Sequence, residues 1–252
     1  MTAKKKPSVK KPSGKRAGAK KPAPAPEISD RPPSKVFDDC EIHMMPQRSD
    51  SWFSIRKGVL TASTLGAWIW SETTASARKA RESAICKLIA ETADCWRPKN
   101  YTTEAMQRGT DLEPEAVESF QSATGLTVSE VGFCLSKFGA FGCSPDGLMF
   151  DNCSGLESKA PIPETHIKYR RAGELPSEYE LQVLMSMAVT GAESWYFQSY
   201  NPGLVNLRVK VERCEKVETL KAQLIQFSEQ LGEAIEAESR SWREEFEAKL
   251  KS

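Results

Sequence analysis

Residues 141–160 read Phe-Gly-Cys-Ser-Pro-Asp-Gly-Leu-Met-Phe-Asp-Asn-Cys-Ser-Gly-Leu-Glu-Ser-Lys-Ala. Two strand-like runs, Phe141 to Phe150 and Gly155 to Ala160, flank the turn-forming Asp151-Asn152-Cys153-Ser154, so the stretch predicts a β-hairpin. Side chains alternate between faces along a strand. Glu157 and Lys159 therefore share one face, while Leu156, Ser158 and Ala160 turn to the other. Folding back at 151–154 brings Asp146 beside Glu157, and two neighbouring carboxylates repel unless a divalent cation lies between them. The Lys159 ammonium next to such a cation can position an attacking water, help deprotonate it and offset transition-state charge, while the metal lowers the pKa of that water.

The triplet Glu157-Ser158-Lys159 carries no information alone, since E-x-K arises by chance about once in a chain of ordinary composition and this length. Its setting supplies the weight. In a helix expected over Thr103 to Thr124 and stopped by Gly125, Met106, Glu113 and Phe120 stand seven residues apart, within roughly 20° of one line. Glu113 thus shares the apolar stripe. A second helix, from about Pro176 to Val189, places Gln182 three residues before Met185 and seven before Val189, again on the face expected to be buried. An inward carboxylate needs a partner, and a bound cation serves several at once.

Further out, the chain predicts a helix over Asp50 to Lys57, capped by Ser49 or Asp50 and ended at Gly58, and another starting at Thr61-Ala62-Ser63. Ser76 to Ala93 is expected to be helical, and Val131, Phe133 and Leu135 alternate as a strand does. Strands are expected over Ser194 to Tyr200 and Leu204 to Arg213, then a helix from Lys216 to Lys249. In that last helix Val217, Leu220, Leu224, Phe227, Leu231 and Ala234 repeat at three-four spacing, which suits packing on its own sheet or a subunit contact. The fold class expected is α/β, a mixed central sheet flanked by helices.

Composition narrows the function. The 252 residues are 39% hydrophobic and 27% charged, enough for one domain with a real core. No run of eighteen apolar residues or secretory signal is present, so a cytoplasmic protein without a membrane partner is expected. Seven scattered cysteines without C-x-x-C argue against a disulfide framework or zinc ribbon, and two histidines without H-E-x-x-H against a catalytic zinc site. The net charge of +1 hides an asymmetry. Residues 1–35 hold eleven Lys or Arg against two acids, a net of +9, leaving −8 for residues 36–252. With seven of the fifteen prolines and no aromatic residue, residues 1–35 are expected to be a disordered basic arm, a tether to nucleic acid or a solubilising tail, ahead of a single domain over 36–252.

The hairpin, with Glu113 and Gln182 on flanking helices, matches the PD-(D/E)xK nuclease signature and implies a restriction-endonuclease-like core. From about Ser51 to Asn201 the chain resembles the lambda exonuclease or YqaJ-type viral recombinase nucleases. The likeness rests on Trp52-Phe53-Ser54-Ile55-Arg56-Lys57-Gly58-Val59-Leu60-Thr61-Ala62-Ser63, Gly109-Thr110-Asp111-Leu112-Glu113, Cys143-Ser144-Pro145-Asp146-Gly147-Leu148, Gly155-Leu156-Glu157-Ser158-Lys159-Ala160-Pro161, Gln182-Val183 and Trp195-Tyr196-Phe197. The resemblance implies that Asp146 and Glu157 hold Mg²⁺, with Mn²⁺ as a substitute, that Glu113 sits at a second metal position, and that Ser158 joins the metal set. It makes Lys159 the catalytic lysine and Gln182 a glutamine supporting the site. It further implies 5′ to 3′ digestion of one strand of linear double-stranded DNA to mononucleotides by a homotrimer ring, leaving 3′ tails for a single-strand annealing protein.

Residue chemistry also supports an end-binding pocket. Arg56 can grip a phosphate with two parallel donors, and Ser63, at an expected helix start, adds a hydroxyl near anion-favouring backbone N–H groups. Ser144 lies two residues before Asp146. By resemblance, these three bind the 5′ phosphate. Two rivals stay open: a PD-(D/E)xK endonuclease, and a DNA-binding protein with an idle site.

Overall fold

The computed structural model describes residues 37–71, 73–93 and 103–251. The expected basic arm lies outside these residues. Among the described residues, eight strands form two mixed four-stranded sheets. The first holds β1 (Cys40–His43), β2 (Leu60–Thr61), β3 (Phe133–Ser136) and β4 (Phe141–Cys143) in the order β1-β3-β4-β2, with β2 parallel to β4 and the other pairs antiparallel. In the second, β5 (Gly147–Met149), β6 (Ser154–Lys159), β7 (Ser194–Ser199) and β8 (Leu207–Glu212) follow chain order, and only β6-β7 is parallel.

The helices begin and end where side-chain chemistry dictates. Ser49 caps α1 (Asp50–Ile55), accepting from the Trp52 N–H, and Thr74 and Thr103 cap α2 (Ala75–Thr92) and α3 (Glu104–Thr124) in the same way. Gly125 closes α3 in the left-handed conformation at φ +71°, a place where a Cβ is unfavourable. The helices α4 (Pro163–Ala172), α5 (Ser177–Thr190) and α6 (Glu215–Lys251) follow. On α6, Val217, Leu220, Leu224, Phe227 and Leu231 are all fully buried in the main core with α5 residues Val183 to Val189, so the three-four repeat is used within the chain. Trp68 packs against Phe227 with ring centroids 5.2 Å apart, whereas Trp70 is exposed and Trp96 lies outside the described residues. No described helix is long and apolar enough to cross a membrane.

Several expectations are corrected. The run 141–150 is not one strand: Ser144-Pro145-Asp146 interrupts it, sending β4 to one sheet and β5 to the other. The cause is Pro145, which has no N–H for a ladder. No helix starts at Thr61-Ala62-Ser63. Leu60 and Thr61 pair with Phe141 and Gly142, and a turn follows in which the Thr64 N–H donates to the Thr61 carbonyl. Strand β1 and helix α4 were not anticipated. Glycine is required within the hairpin, because a Cβ on Gly155 would lie 2.3 Å from the Trp195 ring and one on Gly147 2.1 Å from Val128.

Candidate active site

The hairpin register pairs Gly147 with Leu156, which places Asp146 at the end of β5 opposite Glu157. The Asp146 N–H donates to the Leu156 carbonyl at 3.1 Å, and its carboxylate accepts the Ser158 N–H at 2.6 Å. Along β6 the predicted alternation holds. Leu156 packs with Phe120 of α3 on one face. Glu157 and Lys159 turn to α5 on the other, where Gln182 hydrogen-bonds Glu157 and the Tyr179 ring lies 5.5 Å from the Lys159 ammonium. Asp146, immediately before β5, acts electrostatically on both Glu157 and the α3 carboxylate Glu113. Glu113, Ser158, Lys159 and Gln182 line one cleft of about 760 Å³. Met106, expected in the buried stripe, is instead 57% exposed at its rim, and Glu113 and Gln182 are half-buried rather than enclosed.

Each carboxyl group is held above its ordinary range. Burial raises Glu157 to about 7, and the charge of Asp146 adds to this against the opposing pull of Lys159 and Gln182. Burial likewise raises Asp146, and burial followed by the charge of Asp146 raises Glu113. Burial alone would lower Lys159, but the carboxylates of Glu157 and Asp146 outweigh it and keep the side chain an ammonium, ion-paired to Glu157. Three acids competing for too little positive charge, in an all-oxygen donor set, suit a hard divalent cation. Among the described residues, no three acid, His or Cys side chains are drawn into a finished metal cage. The carboxylates are held by the protein's own cations: Lys159 on Glu157, and Arg48 at 3.7 Å from Glu113.

Ser158 contributes differently from its neighbours. Its hydroxyl faces away, accepting from the Gln198 amide at 3.3 Å. Its N–H points to Asp146, and in a strand the carbonyl of a residue points to the same edge as its N–H. The carbonyl is therefore the Ser158 atom able to join a cation there. Buried Gln198 also donates to the Ala116 carbonyl at 2.7 Å and accepts from Arg208, which reaches Ser119. This network fixes α3, and with it Glu113, against β6. Sequence reasoning missed it, along with Arg108, which caps the Ala160 and Pro161 carbonyls beyond β6. Nothing local in the sequence marks these contacts, which span forty to ninety residues except for Arg208 to Gln198, ten apart.

The second constellation lies on the other side of Pro145. Arg56 donates to the Ser144 hydroxyl at 2.9 Å, as does the Trp52 indole N–H, and the guanidinium rests 4.0 Å above the Trp52 ring. Burial lowers Arg56 to about 10, leaving it cationic at neutral pH. Among the described residues it forms no ion pair, although the charge of Glu91 acts on it; its side-chain partners are a hydroxyl and the aromatic faces of Trp52 and Phe133. Ser63 is not brought into this cluster by any hydrogen bond. It is exposed in the turn after β2, contacts Thr61 at 3.4 Å, and has no helix terminus behind it.

Comparison with known proteins follows the same residues. The model of the YqaJ-like viral recombinase domain matches residues 51–193. The crystal structure of LHK-Exo in complex with dAMP is 30% identical at a TM-score of 0.66, covering 78% of this chain and 99% of that one. That of the alkaline exonuclease LHK-Exo from Laribacter hongkongensis, also 30% identical with the same coverage, gives 0.64. A phage-related exonuclease from Haemophilus somnus 129PT, 12% identical, shares the fold at a TM-score of 0.52 over 72% of this chain and 96% of that one. No curated protein sequence matches. With the matched domain spanning more than half of its length and including Arg56, Glu113, Asp146, Glu157 and Lys159, the chain belongs to the YqaJ-like viral recombinase family.

Proposed function

We propose that the chain is a divalent-metal-dependent DNA exonuclease that shortens one strand of linear duplex DNA from its 5′ end, releasing mononucleotides. The enzyme class, a DNA exonuclease, follows from the family and the 30% identity to an alkaline exonuclease. The polarity rests on the family resemblance, and the product size on one observation. Ser144, which holds Arg56, and Asp146, which faces Glu157, are two residues apart, so their backbones are at most ~7 Å apart. A terminal phosphate held by Arg56 and Ser144 puts the next linkage near the carboxylates, about one nucleotide away. The LHK-Exo complex with dAMP, a deoxynucleoside monophosphate, supports a product of that size.

Asp146, Glu157, Glu113 and the Ser158 carbonyl would hold Mg²⁺ or Mn²⁺, which supplies charge stabilisation and a more acidic water. Lys159, kept an ammonium by its neighbours, orients that water and offsets charge on the phosphoryl oxygens; with the carboxylates compensated, the pull on its proton weakens. Gln182 holds Glu157 in place, and Ser63 adds a hydroxyl donor once DNA draws its turn toward the end. A homotrimer ring around the duplex and hand-over of the 3′ tail to an annealing protein complete this reading; sedimentation tests the former.

The deciding assay incubates end-labelled linear duplex, with and without a 5′ phosphate, beside closed circular DNA, in Mg²⁺, Ca²⁺ or chelator. Loss of 5′ label as mononucleotide from phosphorylated linear DNA in Mg²⁺ alone is expected. Cutting of the closed circle would instead identify an endonuclease, and DNA binding without any cleavage would leave an idle site.

A further inference from the structure

Arg48 is one of two non-glycine residues in the described chain with a left-handed backbone, at φ +67°. A long side chain tolerates this conformation poorly, and strain of this kind persists where the surroundings over-determine it. Here they do so from both sides. On one side the Gln47 amide donates to the carbonyls of Pro145 at 2.9 Å and Val131 at 3.2 Å. On the other, Ser49 bonds the Pro46 carbonyl through its N–H and caps α1 through its hydroxyl. Arg48 is thus pinned to the Ser144-Pro145-Asp146 segment that links the phosphate pocket to the carboxylates.

Its side chain enters the cleft that Lys159 and Gln182 line, yet is 54% exposed. The 3.7 Å approach to Glu113 is too long for a hydrogen bond, so among the described residues the guanidinium keeps its donors open. Its charge is also felt at Asp146. A guanidinium needed only to neutralise Glu113 could be supplied without a strained backbone.

We propose that Arg48 is a substrate-binding residue, its guanidinium grasping a non-bridging phosphate oxygen of the DNA strand drawn into the cleft, between the end pocket of Arg56 and the carboxylates. This rests on the exonuclease reading above. Glu113 is then the resting partner of a side chain whose working partner is a phosphate, and the strained turn aims it before DNA arrives.

Arg48→Gly tests this well, because glycine removes the charge and suits the left-handed backbone. The variant should unfold at no lower denaturant concentration than the wild type, and its KM for phosphorylated linear duplex should rise about tenfold. On a Lys159→Ala background, which keeps the DNA intact, the slope of log affinity against log salt should become shallower by about 0.7 to 0.9, one phosphate contact. Arg48→Lys should restore the slope but only part of the KM, because it returns the charge without the fork. An unchanged slope, with only the Mg²⁺ requirement altered, would make Arg48 a prop for Glu113 and overturn the proposal. Digestion by the wild type with an unaltered KM in Arg48→Gly would overturn this inference while leaving the exonuclease reading intact; a wild type inert on DNA would remove both.

Discussion

The carboxylate cleft and the Arg56 pocket are joined by one short segment, yet they are built on opposite physical plans. The cleft concentrates like charge: burial lifts Glu157, Asp146 and Glu113 above their ordinary range, the charge of Asp146 lifts Glu157 and Glu113 further, and Lys159 compensates only part of it. The Arg56 pocket gathers a hydroxyl and two aromatic faces around one guanidinium, with no carboxylate ion-paired to it among the described residues. One arrangement is poised to accept a cation and the other an anion. Two adjacent sites of opposite appetite suit a polyanionic chain whose hydrolysis needs a metal at a fixed distance from its end.

The comparison breaks most visibly at Lys159. Truncation by Lys159→Ala removes the ammonium that faces the reacting centre but none of the proposed phosphate anchors. Turnover under saturating enzyme should fall by about 10²–10⁴-fold, while affinity for duplex, read by fluorescence anisotropy, stays within about a factor of two. A parallel loss of affinity would mean that Lys159 belongs to the binding plan rather than the chemical one.

At Arg56 the opposite signature is expected. Arg56→Ala deletes a charge-assisted, two-pronged donor, and the loss should reach about 10- to 100-fold in kcat/KM on 5′-phosphorylated ends. Hydroxyl ends should respond far less, since they offer no dianion to hold. Equal losses on both would show that Arg56 supports the fold through Trp52 instead of holding the end.

The two regions also differed in how plainly the sequence announced them. Asp146, Glu157 and Lys159 lie within fourteen residues, and strand alternation fixes which side chains share a face, so their meeting could be read without coordinates. Helix caps at Ser49, Thr74 and Thr103 are local for the same reason. The pocket depends on Arg56 meeting Ser144 across 88 residues, and only the family resemblance joined them. The error at Ser63 shows the limit: Thr-Ala-Ser resembles a helix start, but parallel pairing of Leu60 and Thr61 with β4 claims the backbone first. Pro145 was visible and its consequence was not. It splits one expected strand between two sheets because the ladder cannot continue through a residue without an N–H.

Behind the carboxylate cleft stands buried Gln198, which bonds Ser158 and Ala116 and accepts from Arg208. Gln198→Leu takes one hydrogen-bond partner from each of these groups and should lower unfolding stability by about 1–3 kcal/mol in urea melts. Because the network sets α3 against β6, the variant should need more Mg²⁺ for half-maximal turnover while still preferring phosphorylated ends. If end preference collapsed and metal demand stayed constant, the network would serve the pocket rather than the cleft.

The smallest effect on chemistry should come from the segment with the largest net charge. Residues 1–35 carry +9 against −8 for the remainder, and each lysine or arginine that neutralises a phosphate adds salt-sensitive affinity regardless of sequence. Deleting these residues should therefore weaken DNA association strongly at 50 mM salt and little at 200 mM, where counterions already compete for the phosphates. Turnover of DNA already bound, measured in a single-turnover experiment with enzyme in excess, should not change, because neither the carboxylates nor Arg56 lies in the deleted stretch. Nor should the ratio of rates on phosphorylated and hydroxyl ends. A drop in the bound-state rate would place part of the arm inside the cleft, and would make the division between a charge-hungry site and a charge-bearing tether untenable.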